Sequence, residues 1–216
     1  MKRLLCLGCL LAVGLIGLAD SAPAQHTRGS QEVADYVQRA AERLADEVPP
    51  RATQRRLQAY EPYIQYFSQL SYSRPGITVN THFVRALIAA ESSARPRVVS
   101  DKGAIGLMQI LPETGRRAAR ALYRSRRAFR YVRRADLRSL DARDLKDPAI
   151  NILIGCYLLD RYNRVFANNL ARTVGAWNAG PHRVRQYGKT PPYEETLTLI
   201  GRVNAYYLYF RRHYGR

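Results

Sequence analysis

The sequence predicts an all-α fold, and three observations favour it. Apolar residues follow helical spacing over most of the chain, the alternation typical of strands is nearly absent, and residues that cap or end helices flank the apolar stretches. The length of 216 residues is enough for one ordinary domain with its own hydrophobic core, preceded by an export segment.

Residues 1–24 have the pattern of a cleavable signal peptide. A short basic start (Lys2, Arg3) is followed by an apolar stretch, and small residues precede the expected cleavage after Ala24. A retained membrane anchor is the alternative, but the apolar core of about 16 residues is shorter than the roughly 20 that span a bilayer. The pattern therefore favours export to the periplasm or cell envelope.

The cysteines do not predict a disulfide. Cys6 and Cys9 lie within the signal segment, so the mature chain keeps only Cys156, which lies in an apolar run and is expected to be a buried structural thiol. No group of cysteines and histidines has metal-ligand spacing. Neither a metal nor another cofactor is therefore expected.

The first predicted helix covers residues 30–48. It is amphipathic, Ser30 can cap it, and the proline pair that follows ends it. The helical tendency continues over residues 60–72, where Pro62 is expected to break it.

The next predicted helix contains "FVRALIAAE" and ends close to Glu91. Asn80 or Thr81 can cap its start. The residues that flank Glu91 are mostly aliphatic, and a buried carboxylate is costly unless it is paired, neutral or functional. Glu91 is therefore a candidate functional acid.

A segment rich in arginine follows, and residues 116–134 could form a basic helix. Between Arg116 and Arg138 there are ten arginines, and Asp136 is the only acidic residue. Individual arginines are expected to face solvent, but as a group they could bring a protein of net charge +18 to anionic envelope polymers or a membrane surface. Aromatic residues are interleaved, as in some RNA binders, yet no nucleic-acid motif is present, so nucleic acid is not the expected partner.

Three further helices are predicted towards the C-terminus. The first covers residues 147–166, with Asp147 as its cap and Pro148 in its first turn. A shorter helix at residues 170–179 ends at a Gly-Pro pair, and a long helix rich in tyrosine covers residues 191–214.

Four stretches of the chain resemble the motifs of soluble lytic transglycosylases, which share the goose-type lysozyme fold. In chain order they are "ESSARPRVVSDKGAIGLMQILPET", "DPAINILIGCYLL", "AWNAGPHRV" and "PPYEETLTLIGRV". One such motif would be weak evidence, but four in the family order are specific. The resemblance implies a lysozyme-like helical domain with a substrate groove at residues 80–216, on which an N-terminal helical extension at residues 25–79 packs.

The resemblance implies an enzyme that acts on peptidoglycan glycan strands. It would cleave the β-1,4 bond from N-acetylmuramic acid to N-acetylglucosamine without water and leave a 1,6-anhydro end, with Glu91 as general acid and base. Aliphatic surroundings would raise the pKa of Glu91 and keep a proton available near neutral pH. Because no water is consumed, a second carboxylate is not required, whereas most glycosidases use two.

Three alternatives stay open from the sequence. A goose-lysozyme-like hydrolase would use Asp101 as an auxiliary acid, a wall-binding module would not need Glu91, and a basic nucleic-acid binder would show strong salt dependence. The small domain would also suit an enzyme that opens the wall for an envelope-spanning secretion or conjugation machine. Unchanged assembly of every such machine in a deletion strain would contradict that last role.

The resemblance also assigns substrate-binding positions. Trp177 stands where the family usually has tyrosine; its indole can stack on a sugar and donate one hydrogen bond. Leu199 replaces a second family tyrosine, and Glu195 is expected to pair with a nearby arginine, with direct chemistry as the alternative. The expected substrate-binding residues are Ser100 beside the acid, Met108 and Leu111 (core packing being the alternative), Gln109, Trp177, Asn178 at the N-acetyl group, Tyr193 and Glu195.

Overall fold

The computed structural model describes residue 44 and residues 47–214, and its fold is helical. The predicted signal peptide and most of the predicted helix at residues 30–48 lie outside the described residues. Between residues 47 and 214 the helices are α1 (Arg51–Gln58), α2 (Glu61–Ser68), α3 (Thr81–Ser92), α4 (Pro112–Arg124), α5 (Arg134–Arg138), a 3₁₀ turn (Arg143–Lys146), α6 (Pro148–Val165), α7 (Leu170–Ala179), α8 (Pro181–Tyr187) and α9 (Glu194–Tyr214).

β structure is limited, in the described part of the chain, to two isolated bridges. They join Ile105 to Val99 and to Ile110. The all-α prediction is thus confirmed for the described residues.

The predicted caps of α3 and α6 are confirmed. The Asn80 side-chain oxygen accepts hydrogen bonds from the backbone N–H groups of His82 (2.9 Å) and Phe83 (3.1 Å) at the start of α3. Asp147 caps α6 in the same way, and Pro148 occupies the first turn. Each carboxyl or amide oxygen satisfies backbone donors that a helix start leaves without partners.

Of two expectations about prolines, the one for Pro62 is wrong and the one for the Gly-Pro pair is confirmed. Pro62 does not break a helix but lies in the first turn of α2, where the missing N–H costs nothing because it would have no partner there. The Gly-Pro pair does end α7, since Gly180 adopts a φ of 89°, but Pro181 starts the short helix α8 at once. Helix α1, directly after Pro50, was not predicted.

Residues 116–134 do not form one basic helix. Helix α4 ends at Arg124, and Arg126 has a left-handed φ of 57°. The connection to α5 then turns inward, because Phe129 and Val132 are buried in the core. Burial of these two apolar side chains outweighs the helical propensity of the arginines around them.

Helix α6 forms the centre of the core. Most of its residues are buried, among them the free thiol of Cys156, as predicted; burial raises the pKa of this thiol well above its usual value. Helix α9 packs along α3 and α7, which brings the ends of α3 and α7 to the same side of the molecule as the start of α9. This arrangement positions the candidate site.

The helices α1 and α2 pack against the same body. The buried Arg85 of α3 forms an ion pair with Glu61 of α2, and the Tyr209 hydroxyl of α9 donates to the Gln54 side-chain oxygen of α1 (3.0 Å). The division into an extension and a main domain at residue 80 stays a prediction. No described helix is long and apolar enough to cross a membrane.

Candidate active site

Glu91 lies in the last turn of α3, partly buried at the edge of the core. Burial raises its pKa from 4.5 to about 8. A hydrogen bond from Trp177 opposes the rise, and the negative charge of Glu195 adds to it. The carboxyl group is therefore mostly protonated at neutral pH, which a proton donor needs.

The position of Glu91 follows from how α3 ends. Ser93 and Ala94 both adopt left-handed backbone conformations, with φ of 52° and 57°, and turn the chain away. The buried Ser92 hydroxyl donates to the carbonyl oxygens of Ile88 (3.2 Å) and Leu107 (2.8 Å), so the helix end is tied to the following loop. Ser92 thus has a structural role at the end of α3.

Trp177 of α7 lies directly against the acid. Its indole N–H is the donor of the hydrogen bond to Glu91, since an indole has no acceptor. The indole also contacts Tyr162 of α6 edge to face, with ring centroids 6.3 Å apart. The family usually has tyrosine at this position, whose phenol could donate a hydrogen bond to the acid. In this chain the indole of Trp177 supplies that hydrogen bond instead.

Asn178 is held on both sides of its amide group. Its Nδ2 donates to Glu195 Oε1 (3.2 Å), and its Oδ1 accepts from the Thr196 hydroxyl (2.5 Å). Glu195 Oε2 in turn accepts from Lys102 Nζ (2.5 Å), and this bond lowers the pKa of Glu195. The expected partner of Glu195 was an arginine; the structure places Lys102 there, from the loop before the "GLMQ" stretch.

Two cavities adjoin at Asn178 and form a groove. The first, the acid half, has a volume of about 480 Å³, and the second, the arginine half, about 460 Å³. The acid half is lined chiefly by Glu91, Asn178, Glu194, Glu195, Leu199 and Arg202. The arginine half is lined chiefly by Leu111, Arg117, Arg161, Tyr162, Trp177 and Asn178.

The loop between α3 and α4 is fixed from behind by Asn151 of α6. Its Nδ2 donates to the carbonyl oxygens of Ile105 (3.0 Å) and Leu145 (2.8 Å), and its Oδ1 accepts from Met108 N–H (2.8 Å). Gly106 passes so close to the Leu145 carbonyl and Asn151 that a Cβ there would clash with both. Sequence reasoning assigned Asn151 no role, although it lies in the second motif.

Some of the predicted substrate residues line the groove and others do not. Gln109 and the exposed Leu111 line the arginine half; the Gln109 amide also donates to Gly106 O (2.9 Å). Met108 has 0% of its surface exposed and packs against Gly155, so its expected place on the groove floor is wrong and the core alternative holds. Leu199 lines the acid half.

Ser100, Tyr193 and Asp101 line neither half. The Ser100 hydroxyl accepts from Ala104 N–H (3.0 Å) and closes a turn. Tyr193 is exposed and contacts Tyr187 edge to face, with centroids 6.0 Å apart. Asp101, the acid that a hydrolase was expected to use, is exposed.

Several groove residues were not predicted. Some of them lie three or four residues from another groove residue on the same helix, a spacing that puts both side chains on one face. On α4, Arg117 lies three residues after Thr114, and on α6, Tyr162 lies four residues after Leu158; all four line the arginine half. Glu194 and Arg202 of α9 line the acid half. Among the described residues, no group of three or more His, Cys, Asp or Glu is placed to hold a metal ion.

Comparison with known proteins gives the family. A model of the transglycosylase SLT domain matches residues 75–200, more than half of the chain. The chain belongs to the transglycosylase SLT domain family.

Relatives and solved structures agree with this membership. The soluble lytic murein transglycosylase of Salmonella typhimurium is 30% identical over 158 residues, and that of Escherichia coli K12 is 30% identical over 154 residues. These matches take in 67% and 65% of this chain but 22% of each relative, so this SLT-family chain spans about a fifth of their length.

The solved structures share the lysozyme-like fold. The 70-kDa soluble lytic transglycosylase of Escherichia coli superposes with a TM-score of 0.56 at 26% identity, over 85% of this chain and 31% of that one. An inactive mutant of the lytic transglycosylase Slt from Pseudomonas aeruginosa has a TM-score of 0.54 at 21% identity, over 77% of this chain and 25% of that one, and supports the fold alone.

Proposed function

We propose that this protein is a peptidoglycan lytic transglycosylase. It cleaves the β-1,4 bond from N-acetylmuramic acid to N-acetylglucosamine and leaves a 1,6-anhydro end. The observation that carries the proposal is Glu91, a partly buried acid in the groove whose pKa is raised to about 8. Membership of the SLT family supports the same assignment.

The first step uses the protonated form of Glu91. It donates its proton to the bridging oxygen while the bond from that oxygen to the anomeric carbon breaks. The carbonyl oxygen of the substrate's own N-acetyl group bonds to the anomeric carbon, and Asn178 holds this group; the hydrogen bonds that orient the Asn178 amide through Thr196 and Glu195 support this role. The Trp177 N–H stabilises the negative charge that develops on Glu91.

The second step returns the proton. The Glu91 carboxylate accepts the proton of the 6-hydroxyl of the same muramyl sugar, whose oxygen attacks the anomeric carbon and displaces the N-acetyl oxygen. The 1,6-anhydro ring forms and Glu91 is protonated again. Water is neither consumed nor released, so one carboxyl group serves as both acid and base.

The described groove gives the hydrolase alternative little support. Hydrolysis with inversion uses a second carboxylate that is free to activate water on the opposite side of the sugar. Asp101 lines neither half, and Glu195 is already engaged by Lys102 and Asn178. A wall-binding module, in turn, would have no use for a carboxyl group kept protonated at neutral pH.

The proposal is tested by the products of digested peptidoglycan. Mass spectrometry should find 1,6-anhydromuramic ends with the unaltered protein and none with Glu91→Gln. The matched control is Glu113→Gln, an exposed α4 residue outside the groove, which should behave as the unaltered protein. Reducing ends would show a hydrolase, and unchanged activity of Glu91→Gln would remove Glu91 from the mechanism.

We further propose export to the periplasm or cell envelope, on the pattern of residues 1–24. The exposed arginines of α4, such as Arg116, Arg120 and Arg124 at four-residue spacing, would there draw the protein towards anionic surfaces. Cosedimentation with anionic lipid vesicles should be strong at low salt and weak at high salt. Absence of binding at low salt would contradict this role.

A further inference from the structure

A residue that precedes α1 is connected to the acid half of the groove by an ion pair. The Glu47 carboxylate accepts a hydrogen bond from Arg202 Nε (3.0 Å), and Arg202 of α9 lines the acid half. Among the described residues that line this half, Arg202 is the only cation, beside three glutamates. The side chain that fixes this cation therefore affects which groups the groove offers to a ligand.

The segment that carries Glu47 is itself fixed on α9. Glu47 Oε1 also accepts from the Tyr206 hydroxyl (3.0 Å); burial and this bond raise the pKa of Tyr206 to about 12. Two residues further on, the Pro49 carbonyl accepts from Gln54 Nε2 (2.7 Å), and Gln54 Oε1 accepts from the Tyr209 hydroxyl (3.0 Å). The Glu47 carboxylate thus has a defined place relative to α9.

The remaining polar atoms of the pair differ in what they can still bind. Glu47 Oε2 is buried and has no hydrogen-bond partner among the described residues, so this carboxylate depends on the two donors that meet at Oε1. The Arg202 side chain keeps 37% of its surface exposed, and neither of its Nη groups donates to a described residue. Because Glu47 uses Nε alone, the N–H donors of both Nη groups are available to a ligand in the groove.

We propose that Glu47 is a positioning residue of the active site, which holds the Arg202 guanidinium so that its Nη groups donate to hydroxyl or N-acetyl oxygens of the glycan. This inference rests on the proposed function, which supplies the glycan. A long side chain loses rotamer freedom when a ligand fixes it, and Glu47 lowers that cost by fixing Nε beforehand. Both residues lie outside residues 75–200, so the match to the family model assigns them no role.

A double-mutant cycle on glycan binding tests the inference. Dissociation constants for soluble glycan strands without peptides are measured in the Glu91→Gln background, which does not consume the ligand. The variants are Glu47→Gln, Arg202→Gln and the two together, and the unfolding free energy of each is measured in urea. The matched control is Glu61→Gln, which weakens the ion pair between α2 and α3 but lies in neither half of the groove.

Arg202→Gln should weaken binding about tenfold, because donors on a charged group are lost. Glu47→Gln should weaken it about threefold, since the guanidinium remains but is less ordered. Adding Glu47→Gln to Arg202→Gln should cause no further loss, because Glu47 acts through Arg202. Glu61→Gln should leave the dissociation constant unchanged even where it lowers the unfolding free energy.

Unchanged binding in either single variant would overturn the inference, and so would losses that simply add in the double variant. A loss in Glu61→Gln as large as that in Glu47→Gln would also overturn it, because binding would then follow stability rather than the position of Arg202. Failure of the proposed function is separate: it is the absence of anhydro ends with the unaltered protein, whatever the dissociation constants.

Discussion

The indole N–H of Trp177 on α7 donates a hydrogen bond to the carboxyl group of Glu91 on α3. The two residues are far apart in sequence and meet because both helices pack on α9. The bond favours the ionised form of Glu91, while burial disfavours it more strongly. One donor thus stabilises the state that Glu91 reaches after it has given up its proton.

Replacing Trp177 by phenylalanine should lower kcat by about 10- to 100-fold, the effect of losing one hydrogen bond to a charged group. The pKa of Glu91 should also rise, because the only opposing contribution is lost. Trp177→Tyr offers a hydroxyl donor and should recover part of the rate. An unchanged kcat and pH profile in Trp177→Phe would show that the bond has no part in the reaction.

The raised pKa of Glu91 should appear in the stability of the protein. The folded-state pKa of about 8 exceeds the ordinary value of 4.5, so the folded protein binds this proton more tightly than the unfolded chain. The resulting stabilisation is complete below pH 4.5 and is lost as the pH rises through 8. Glu91→Gln has no such loss.

Urea unfolding at low and high pH measures this difference. From about pH 4 to pH 9, the unfolding free energy of Glu91→Gln relative to the unaltered protein should increase by on the order of 3 kcal/mol. Glu113→Gln, whose carboxylate is exposed, is the control and should show no such trend. A pH-independent difference for Glu91→Gln would mean that Glu91 is not buried as described.

Glu195 should set the alkaline limit of activity through its charge. Because that charge raises the pKa of Glu91, Glu195→Gln should move the descending limb of the pH–kcat profile to lower pH. The amide retains an oxygen that can accept from Asn178, so the rate below that limb should change less. Lys102→Met removes the opposite charge and should not shift the limb downwards; a downward shift in both variants would contradict this assignment.

The stability of the protein should depend on Gly106, because this residue fixes the loop that ends in "GLMQ". Gly106→Ala would combine a left-handed φ of 84° with a clash on Leu145 and Asn151, and should cost about 3 kcal/mol. Gly103→Ala has a similar φ of 76° but open space around it, and should cost only about 1 kcal/mol. Equal unfolding free energies for the two variants, measured in urea, would show that close packing at Gly106 is unimportant.

Local chemistry made part of the fold predictable. Asn80 and Asp147 indicate helix starts, because their side chains accept hydrogen bonds from backbone N–H groups two and three residues away. Gly180 indicates a helix end. Pro62 was misjudged because a proline is compatible with a first turn and incompatible with later ones, and the sequence does not say where the turn begins. The break at Arg126 depends on burial of Phe129, which is a tertiary effect.

Among the site residues, only those that lie within the family motifs could be predicted from the sequence. Glu91 and Asn178 lie within motifs and line the groove. The arginine half is formed by Arg117 and Arg161 from two helices distant in sequence, so that only their packing brings the charges together. Met108 lies in a motif too, yet its 0% exposure follows from the small residue Gly155 opposite it.

The measurement that tests the central claim most directly is digestion of purified peptidoglycan in ¹⁸O-labelled water, followed by mass spectrometry of the new glycan ends. If Glu91 alone serves as acid and base, the ends are 1,6-anhydromuramic acid, lighter than reducing ends by one water and free of label. Reducing ends that contain ¹⁸O would contradict the account, because water would then have attacked the anomeric carbon and a second group would have to activate it.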